Sequence, residues 1–421
     1  MSAPALAASR LPAMHHAGFT DPAGPQAGIR VGTPEYRQMR RALFLGGFAT
    51  FSLLYCVQPL LPLYSHEWQV APAQASTVLS AATGGLALTL ILASAVSDRL
   101  GRRGLMAGAV LLASLLGLAC SMAAGLAQLV WLRALEGIVL AGLPAVAMAY
   151  VSEEMEPRGL ATAMGLYIAG SAFGGMSGRI ATAWLAELWD WRSAMAAQAL
   201  LSLGIGLVFW KSLPASRAFR PRPLRLDALR AGLRLHLSDA GLPWLYALAF
   251  LLMGCFVSLY NYLGYRLAGA PFGFGAGWIG TLSVFYVSGM LGSGWTGRLT
   301  ARYGVQRVIM VMTLLMLAGL LATLSEALPL LLAGVALATF GYFGAHAGAS
   351  AWVGRRAREA RGLASALYLS AYYAGSSLLG SVSGLVWHLD GWSAVVALLA
   401  TLLAGCLLIA WRLRRLAASE A

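Results

Sequence analysis

Long apolar runs recur along this chain at the length that a bilayer demands. A helix needs about 20 apolar residues to cross a hydrocarbon core. From Ala42 onward twelve runs are long enough: 42–64, 72–96, 105–125, 127–150, 160–185, 193–212, 243–266, 277–297, 306–325, 328–351, 362–387 and 391–411. The composition agrees. Of 421 residues, 59% are hydrophobic and 11% charged, with a mean hydropathy of +0.71, which no soluble domain carries. The predicted fold class is an all-α polytopic membrane protein with twelve transmembrane helices.

Charge sets the orientation. In a soluble protein a net charge of +14 and a pI near 10.1 would point to nucleic acid. Here the basic residues flank apolar runs, so no nucleic-acid partner is expected. All but four of the 30 basic residues fall in the tails or in the loops from even to odd spans. Arg192 and Arg266 lie in the other loops, and Arg133 and Arg179 lie inside spans. The positive-inside rule then predicts that both termini are cytoplasmic. The four cysteines each sit within an apolar run without metal-ligand spacing and read as small buried hydrophobes. No metal or cofactor is predicted. Nothing resembles a nucleotide-binding loop, so ATP is not expected to drive the protein.

The organisation predicted from this pattern has five parts. Residues 1–41, rich in Ala, Pro and Gly at first and without a signal-peptide core, form a disordered cytoplasmic tail. Residues 42–212 form one six-helix bundle and 242–412 another. Residues 213–241 are a basic linker in which Leu226, Leu229, Leu233 and Leu237 recur at helical spacing, as expected for an amphipathic helix lying on membrane lipid. Residues 413–421 are a second cytoplasmic tail. The two bundles read as copies. Arg158-Gly-Leu-Ala-Thr-Ala-Met recurs as Arg361-Gly-Leu-Ala-Ser-Ala-Leu, an offset of 203 residues, and Ser94 to Gly101 is answered by Gly297 to Gly304 at the same offset. Parallel repeats of this kind place a site near the membrane midplane between the halves.

Charged residues inside a span are costly and read as functional by default. Arg133 and Glu136 lie three apart in the fourth span, on one helix face. Burial and the neighbouring guanidinium act in opposite senses on the proton affinity of Glu136, which makes it a candidate proton carrier. A self-neutralising intrahelical pair is the alternative. His346 in the tenth span can carry a proton, bind substrate, or simply pack through a hydrogen bond.

Three motifs carry a resemblance to the major facilitator superfamily. The stretch from Ser94 with Asp98, Arg99, Gly101, Arg102 and Arg103 resembles the superfamily's loop between helices 2 and 3, Gly-x-x-x-Asp-Arg-x-Gly-Arg-Arg, with Ser94 in place of the first Gly. Arg133-Ala-Leu-Glu136-Gly137 resembles the helix-4 motif Arg-x-x-Gln-Gly. Gly170, Gly174, Gly175, Gly178 and Arg179 follow the antiporter motif Gly-x-x-x-Gly-Pro-x-x-Gly-Gly, with Gly175 for its Pro and Arg179 for its last Gly. Tyr55 to Pro62, the Ser152-Glu-Glu step and Tyr260-Asn-Tyr are similar to the YnfM-like inner-membrane transport proteins within that superfamily.

The resemblance implies a monomeric, proton-coupled antiporter of the bacterial inner membrane. It would export a small organic molecule by alternating access, and it would not be an enzyme. It implies that Arg133 tunes a nearby acid, that Asp98 and its neighbours gate the cytoplasmic side, and that glycines of span five pack closely on span eight. Spans 1, 4, 7 and 10 line the cavity in the superfamily, which favours Tyr55, Gln58, Tyr260, Asn261 and His346 as substrate contacts. Arg179 is expected near the periplasmic mouth, snorkelling or meeting an anionic substrate. Proton-coupled uptake of a metabolite is the alternative, since the departures at Gly175 and Arg179 weaken the antiporter motif. A non-transporting receptor or an intramembrane enzyme ranks third.

Overall fold

In the computed structural model the described residues are 28–217, 219 and 226–419, without the side chains of Ala95, Asp98, Leu100, Leu226 and 417–419. Residues 1–27 of the expected tail, Arg220, Arg222 and Arg225 of the linker, and the Asp98 side chain therefore lie outside the described residues. The first half runs α1 (Pro34–Tyr55), α2 (Leu61–Trp68), α3 (Pro72–Leu100), α4 (Arg102–Ser121), α5 (Leu126–Leu140), α6 (Pro144–Glu154), α7 (Pro157–Leu188) and α8 (Trp191–Ser212). The linker holds α9 (Leu226–Leu237). The second half runs α10 (Leu242–Ala268), α11 (Ala276–Thr281), α12 (Tyr286–Tyr303), α13 (Val305–Ala322), α14 (Leu328–Arg356), α15 (Arg361–Val382) and α16 (Trp387–Ser419).

Among the described residues, nine helical stretches are long and apolar enough to cross a membrane. One of them, Arg361–Leu416, has 56 residues. As a straight helix it would measure about 80 Å, more than twice a hydrocarbon core of about 30 Å. It turns back where Asp390 and Gly391 leave helical geometry, so it holds two crossings. Two further long elements, α7 and α11–α12, are rich in glycine, which lowers their hydropathy without shortening them. The arrangement is consistent with twelve crossings.

Several crossings are broken rather than continuous. Pro59 and Pro62 interrupt the first, which passes from α1 through a 3₁₀ turn, Gln58–Leu60, into α2. The fourth breaks before Pro144, between α5 and α6. A proline removes a donor from the helix ladder and clashes with the preceding turn. The loops 2–3 and 8–9 each turn on a glycine with positive φ, Gly101 at 95° and Gly304 at 82°, at equivalent positions of the repeat. A side chain at either would strain that backbone.

The chain's start differs from expectation. The first helix begins at Pro34, not at residue 42, because Thr33 caps it and Pro34 presets its first turn. Ahead of it, Ile29 pairs with the loop between α6 and α7 through Ile29 N–H to Glu154 O (2.8 Å) and Glu156 N–H to Ile29 O (3.3 Å). Residues 28–41, expected as part of a disordered tail, are therefore structured, and 34–41 are the helix start. These residues, loops 2–3 and 4–5, the linker and the end of α16 share one face, here the terminal face. The loops after α2, α4, α8's predecessor α7, α10, α13 and α15 share the opposite, far face.

Within the first half α1 packs on α7, α3 on α5 and α4 on α8; within the second, α10 packs on α15 and α14 on α12 and α13. The halves meet where α3 lies on α15 and α7 on α11. Gly170, Gly174 and Gly178 recur every four residues and so line one face of α7. That face meets α1: a methyl on them would overlap the backbone of Phe44, Phe48 and Ser52 respectively. The motif thus serves the contact with α1 rather than with the eighth crossing, where the close-packed glycines are instead Gly277 and Gly280 against Trp184 and Ala183.

In the linker, Asp239 caps the start of α10 through the N–H groups of Gly241 and Leu242 and pairs with Arg356 at 2.5 Å. Partial burial raises its proton affinity, but the bonds from Arg356, Leu242 and Gly241 outweigh this and hold its pKa below the ordinary value.

Gly174→Ala is expected to wedge α7 from α1 and to cost about 1–3 kcal/mol, the usual penalty of overpacking. Gly165→Ala on the same helix meets nothing within 4 Å among the described residues and is expected to hold or slightly raise the melting temperature, since Ala is the better helix former. Thermal unfolding of the two purified variants makes the comparison.

Candidate functional site

Two arginines, Arg133 and Arg179, are among the largest fully buried side chains. Their surroundings differ, and the difference organises the site. The break in the first crossing leaves the last carbonyls of α1 without helical partners. Arg133 supplies them: its Nη1 donates to Leu53 O (3.1 Å), its Nη2 to Leu54 O (2.5 Å) and its Nε to Val78 O (3.4 Å). Nη1 also pairs with Glu136 Oε2 at 2.6 Å. Both residues have no exposure. Cys120 Sγ lies 3.8 Å from the same carboxylate oxygen, while Glu136 Oε1 has no hydrogen-bond partner. The pair is shut inside the first half among α1, α3, α4 and α5, away from the other predicted site residues.

Arg179 lies about nine residues before the end of α7, roughly 13 Å short of it at ~1.5 Å per residue. It is 2% exposed, so it does not snorkel to the helix end. Its Nε donates to Gln58 Oε1 (2.6 Å) and its Nη1 to Gly175 O (2.7 Å). Its guanidinium carbon sits 4.3 Å from the Tyr55 ring centre and 4.9 Å from that of Tyr286, so two tyrosines flank the charge. Among the described residues no carboxylate lies within 4.0 Å of it. Gln58 in turn donates to Asn261 Oδ1 at 2.7 Å, joining residues 203 positions apart, and Asn261 donates to Gly380 O at 3.3 Å. This contact joins an amide of the first half to an amide of the second.

From there an aromatic lining runs toward the terminal face. Tyr260 shares a hydrogen bond with Thr339 (2.9 Å) and packs edge-on against Tyr286. Tyr342 stacks on Phe256 at 3.8 Å and donates to Tyr372 Oη at 2.7 Å. His346 packs against Tyr372 (4.7 Å), and its Nδ1 lies 2.9 Å from Tyr368 Oη. His346 and Tyr372 remain partly exposed, whereas Arg179, Gln58 and Asn261 are buried. Tyr55, Gln58, Tyr260, Asn261 and His346 therefore belong to one lining, with Arg179 at its closed end and His346 at its open end. Sequence reasoning missed Tyr286 and Tyr342, whose spans offer many aromatics of equal appearance.

Toward the far face the halves are stitched together. Ser65 bonds Tyr265 (2.7 Å), Ser381 bonds Ser80 (2.8 Å), Tyr262 bonds Ser76 (3.2 Å), Trp184 bonds Thr281 (3.0 Å) and Gly277 N–H donates to Glu187 (2.5 Å). On the terminal face, Arg102 forks onto Glu153 (2.7 and 3.1 Å) and reaches Ser97 (2.5 Å). Arg103 donates to Trp210 O (3.0 Å), and Arg99 is exposed.

The Major Facilitator Superfamily model matches residues 43–293 and 267–421. The chain belongs to the major facilitator superfamily. The inner membrane transport protein YnfM of Escherichia coli (strain K12) is 45% identical over 391 residues, covering 93% of this chain and 94% of that one. The MFS-type transporter YybF of Bacillus subtilis (strain 168), itself uncharacterized, is 41% identical over 375 residues, covering 89% and 93%. In fold the chain matches a bacterial homologue of the human lysosomal transporter Spinster, solved inward-facing and occupied, with a TM-score of 0.73 at 16% identity over 91% of this chain and 98% of that one. As a major facilitator it is a multi-pass membrane transporter and not an enzyme.

Arg133→Ala is expected to cost about 3–5 kcal/mol, because it strands the buried Glu136 charge and takes the donor from Leu54 O, while Leu53 O keeps only the weak Cys56 thiol. Arg133→Lys is expected to melt nearly as early, since one ammonium cannot reach Leu53, Leu54 and Glu136 with a planar fork's geometry. Thermal unfolding in detergent reads both.

Proposed function

We propose that this transporter exchanges protons for a small organic molecule and exports it by alternating access. The observation that carries the reading is the lining itself. It is closed toward the far face by the Gln58–Asn261 contact and the bonds beyond it, and partly exposed toward the terminal face at His346 and Tyr372. Rocking the halves about the amide pair would close one end and open the other. A lining rich in tyrosine, with a few placed polar groups, suits a small organic molecule.

Glu136 is the proton carrier in this reading, and Arg133 sets its affinity. A proton on Glu136 would take away the negative charge that balances Arg133. Arg133 also holds the carbonyls of Leu53 and Leu54, immediately ahead of Tyr55 and Gln58. Proton binding would therefore be felt at the substrate lining through the break in the first crossing. Both termini are cytoplasmic in this reading, and Asp98 gates that side by favouring the N-terminus of α15. The changes at Gly175 and Arg179 keep proton-coupled uptake as the second reading.

The test is internal pH in proteoliposomes of purified protein, challenged with a panel of drugs, sugars and amino acids under an imposed pH gradient. Release of protons in exchange for a compound is the expected result, and Glu136→Gln at matched incorporation is expected to cut the coupled proton flux by an order of magnitude. Compound and proton moving together would establish uptake instead. Asp98→Asn is expected to lower transport of the same compound while leaving membrane insertion intact; unchanged transport at matched expression removes the gating role.

A further inference from the structure

Every buried cation in this protein needs an account of what balances it, and Arg179 lacks one. Arg133 has Glu136 and three carbonyl oxygens. Arg102 has Glu153 and Ser97. Arg179 is 2% exposed and has only two neutral acceptors, Gln58 Oε1 and Gly175 O. Its Nη2 donors have no acceptor in the protein among the described residues. Glu187, two turns further along α7, is turned to the backbone N–H of Gly277. Glu136 is committed to Arg133 inside the first half. The two tyrosine faces offset part of the charge but accept none of its hydrogen bonds in the ring plane.

We propose that Arg179 is the binding site for an anionic group on the transported molecule, and that the substrate is a small organic acid with a flat apolar body. The proposal rests on the transporter reading above and names its substrate class. A carboxylate placed in the plane of the guanidinium would accept the free Nη2 donors and neutralise the charge, as planar fork recognition requires. Beside Arg179 is a cleft of about 10 Å³, room for one water in this closed state, so an anion would enter as the halves part. It is lined by Gln58, Tyr260, Leu263, Ile279 and Ser283, with no acidic side chain among its lining residues. An arriving anion therefore meets no like charge there, whereas an organic cation would meet Arg179 without a carboxylate to hold it. The rings of Tyr55 and Tyr286, which flank the guanidinium, would border an aromatic or other flat body whose anion reaches it. Position adds to the argument. Arg179 belongs to the first half, while Tyr286 and Asn261 belong to the second. An anion held there would touch both halves and bear on the Gln58–Asn261 contact between them.

A purely structural Arg179, which ties α7 to Gln58 and nothing more, makes a different prediction, and ligand charge separates the two. The probes are benzoate, its uncharged isostere benzamide, and benzylammonium, each titrated into purified full-length protein in detergent at constant ionic strength. Binding is read by tryptophan fluorescence and by thermal stabilisation. Saturable binding of benzoate is expected, with benzamide and benzylammonium weaker by at least an order of magnitude. Arg179→Ala is expected to lose benzoate by a similar factor, and Arg179→Lys to recover part of it. Should Arg179→Ala fold poorly, Arg179→Gln retains a donor for Gln58 and is expected to lose benzoate equally. The proposal is overturned if wild-type protein binds no benzoate, if it binds benzamide or benzylammonium as tightly, or if the folded variants bind benzoate unchanged. This equilibrium measurement is independent of flux. Binding through Arg179 without transport would count against the transporter coupling alone, and transport of a neutral compound untouched by Arg179→Ala would count against the anion site alone.

Discussion

The lining between the halves depends on a break in the first crossing, which Pro59 and Pro62 make and Arg133 satisfies. A helix interrupted in a bilayer leaves carbonyls that water cannot reach, so an interruption survives only where protein supplies the donors. Arg133 brings its guanidinium to Leu53 and Leu54 from another helix, and Glu136 neutralises the charge that comes with it. The chain can then turn at Pro59, which sets Gln58 against Asn261 and Tyr55 against Arg179. Without that clamp the prolines would still break the helix, but the Leu54 carbonyl would lose its donor and the kink its fixed geometry.

The repeat makes the halves alike in path but not in chemistry. At the offset of 203, Arg133, Glu136 and Arg179 correspond to Ala336, Thr339 and Val382, and Asp98 corresponds to Ala301. The buried charges of the lining and its clamp thus sit in the first half. The second half contributes rings and hydroxyls: Tyr260 on Thr339, Tyr342 on Tyr372, Tyr368 on His346. A duplicated scaffold has kept its glycine turns, Gly101 and Gly304, because the backbone still needs them. It has diverged where side chains face the space between the halves.

What the sequence made legible follows from which physical signals are one-dimensional. Apolar run length and the 203-residue offset survive in a linear reading, so the helical membrane fold and its two repeated halves could be anticipated. Partner identity does not survive. Gly170, Gly174 and Gly178 announce a close approach, but hydropathy cannot say that Phe44 and Phe48 fill it rather than the eighth crossing. The enclosure of Arg179 was hidden for a related reason. Its run seemed to end near residue 185, which placed it by a mouth, whereas α7 extends to Leu188 and packs on α11 there. The start of α1 was hidden because the stretch before residue 42 has no sustained apolar core, although Thr33 and Pro34 are a helix start.

The strengths of the contacts are graded in a way that suits halves that part. Inside the first half the clamp is a buried ion pair, which costs about 3–5 kcal/mol to break from one side. Between the halves, apart from Gly277 N–H on the Glu187 carboxylate, the bonds named are amide to amide, hydroxyl to hydroxyl and indole to hydroxyl, each worth about 0.5–1.5 kcal/mol net because water can replace the lost partner. Gln58 parting from Asn261, or Ser80 from Ser381, exposes neutral groups to water that would enter as the far face opens. Arg133 parting from Glu136 would expose two charges to a core without water. The seam is therefore built from bonds that can be exchanged cheaply, and the halves from bonds that cannot. Of the charges at the seam, Glu187 is already met by Gly277 N–H, while Arg179 is a cation among neutral partners and so the place where a bound anion would bear on the balance between closed and open.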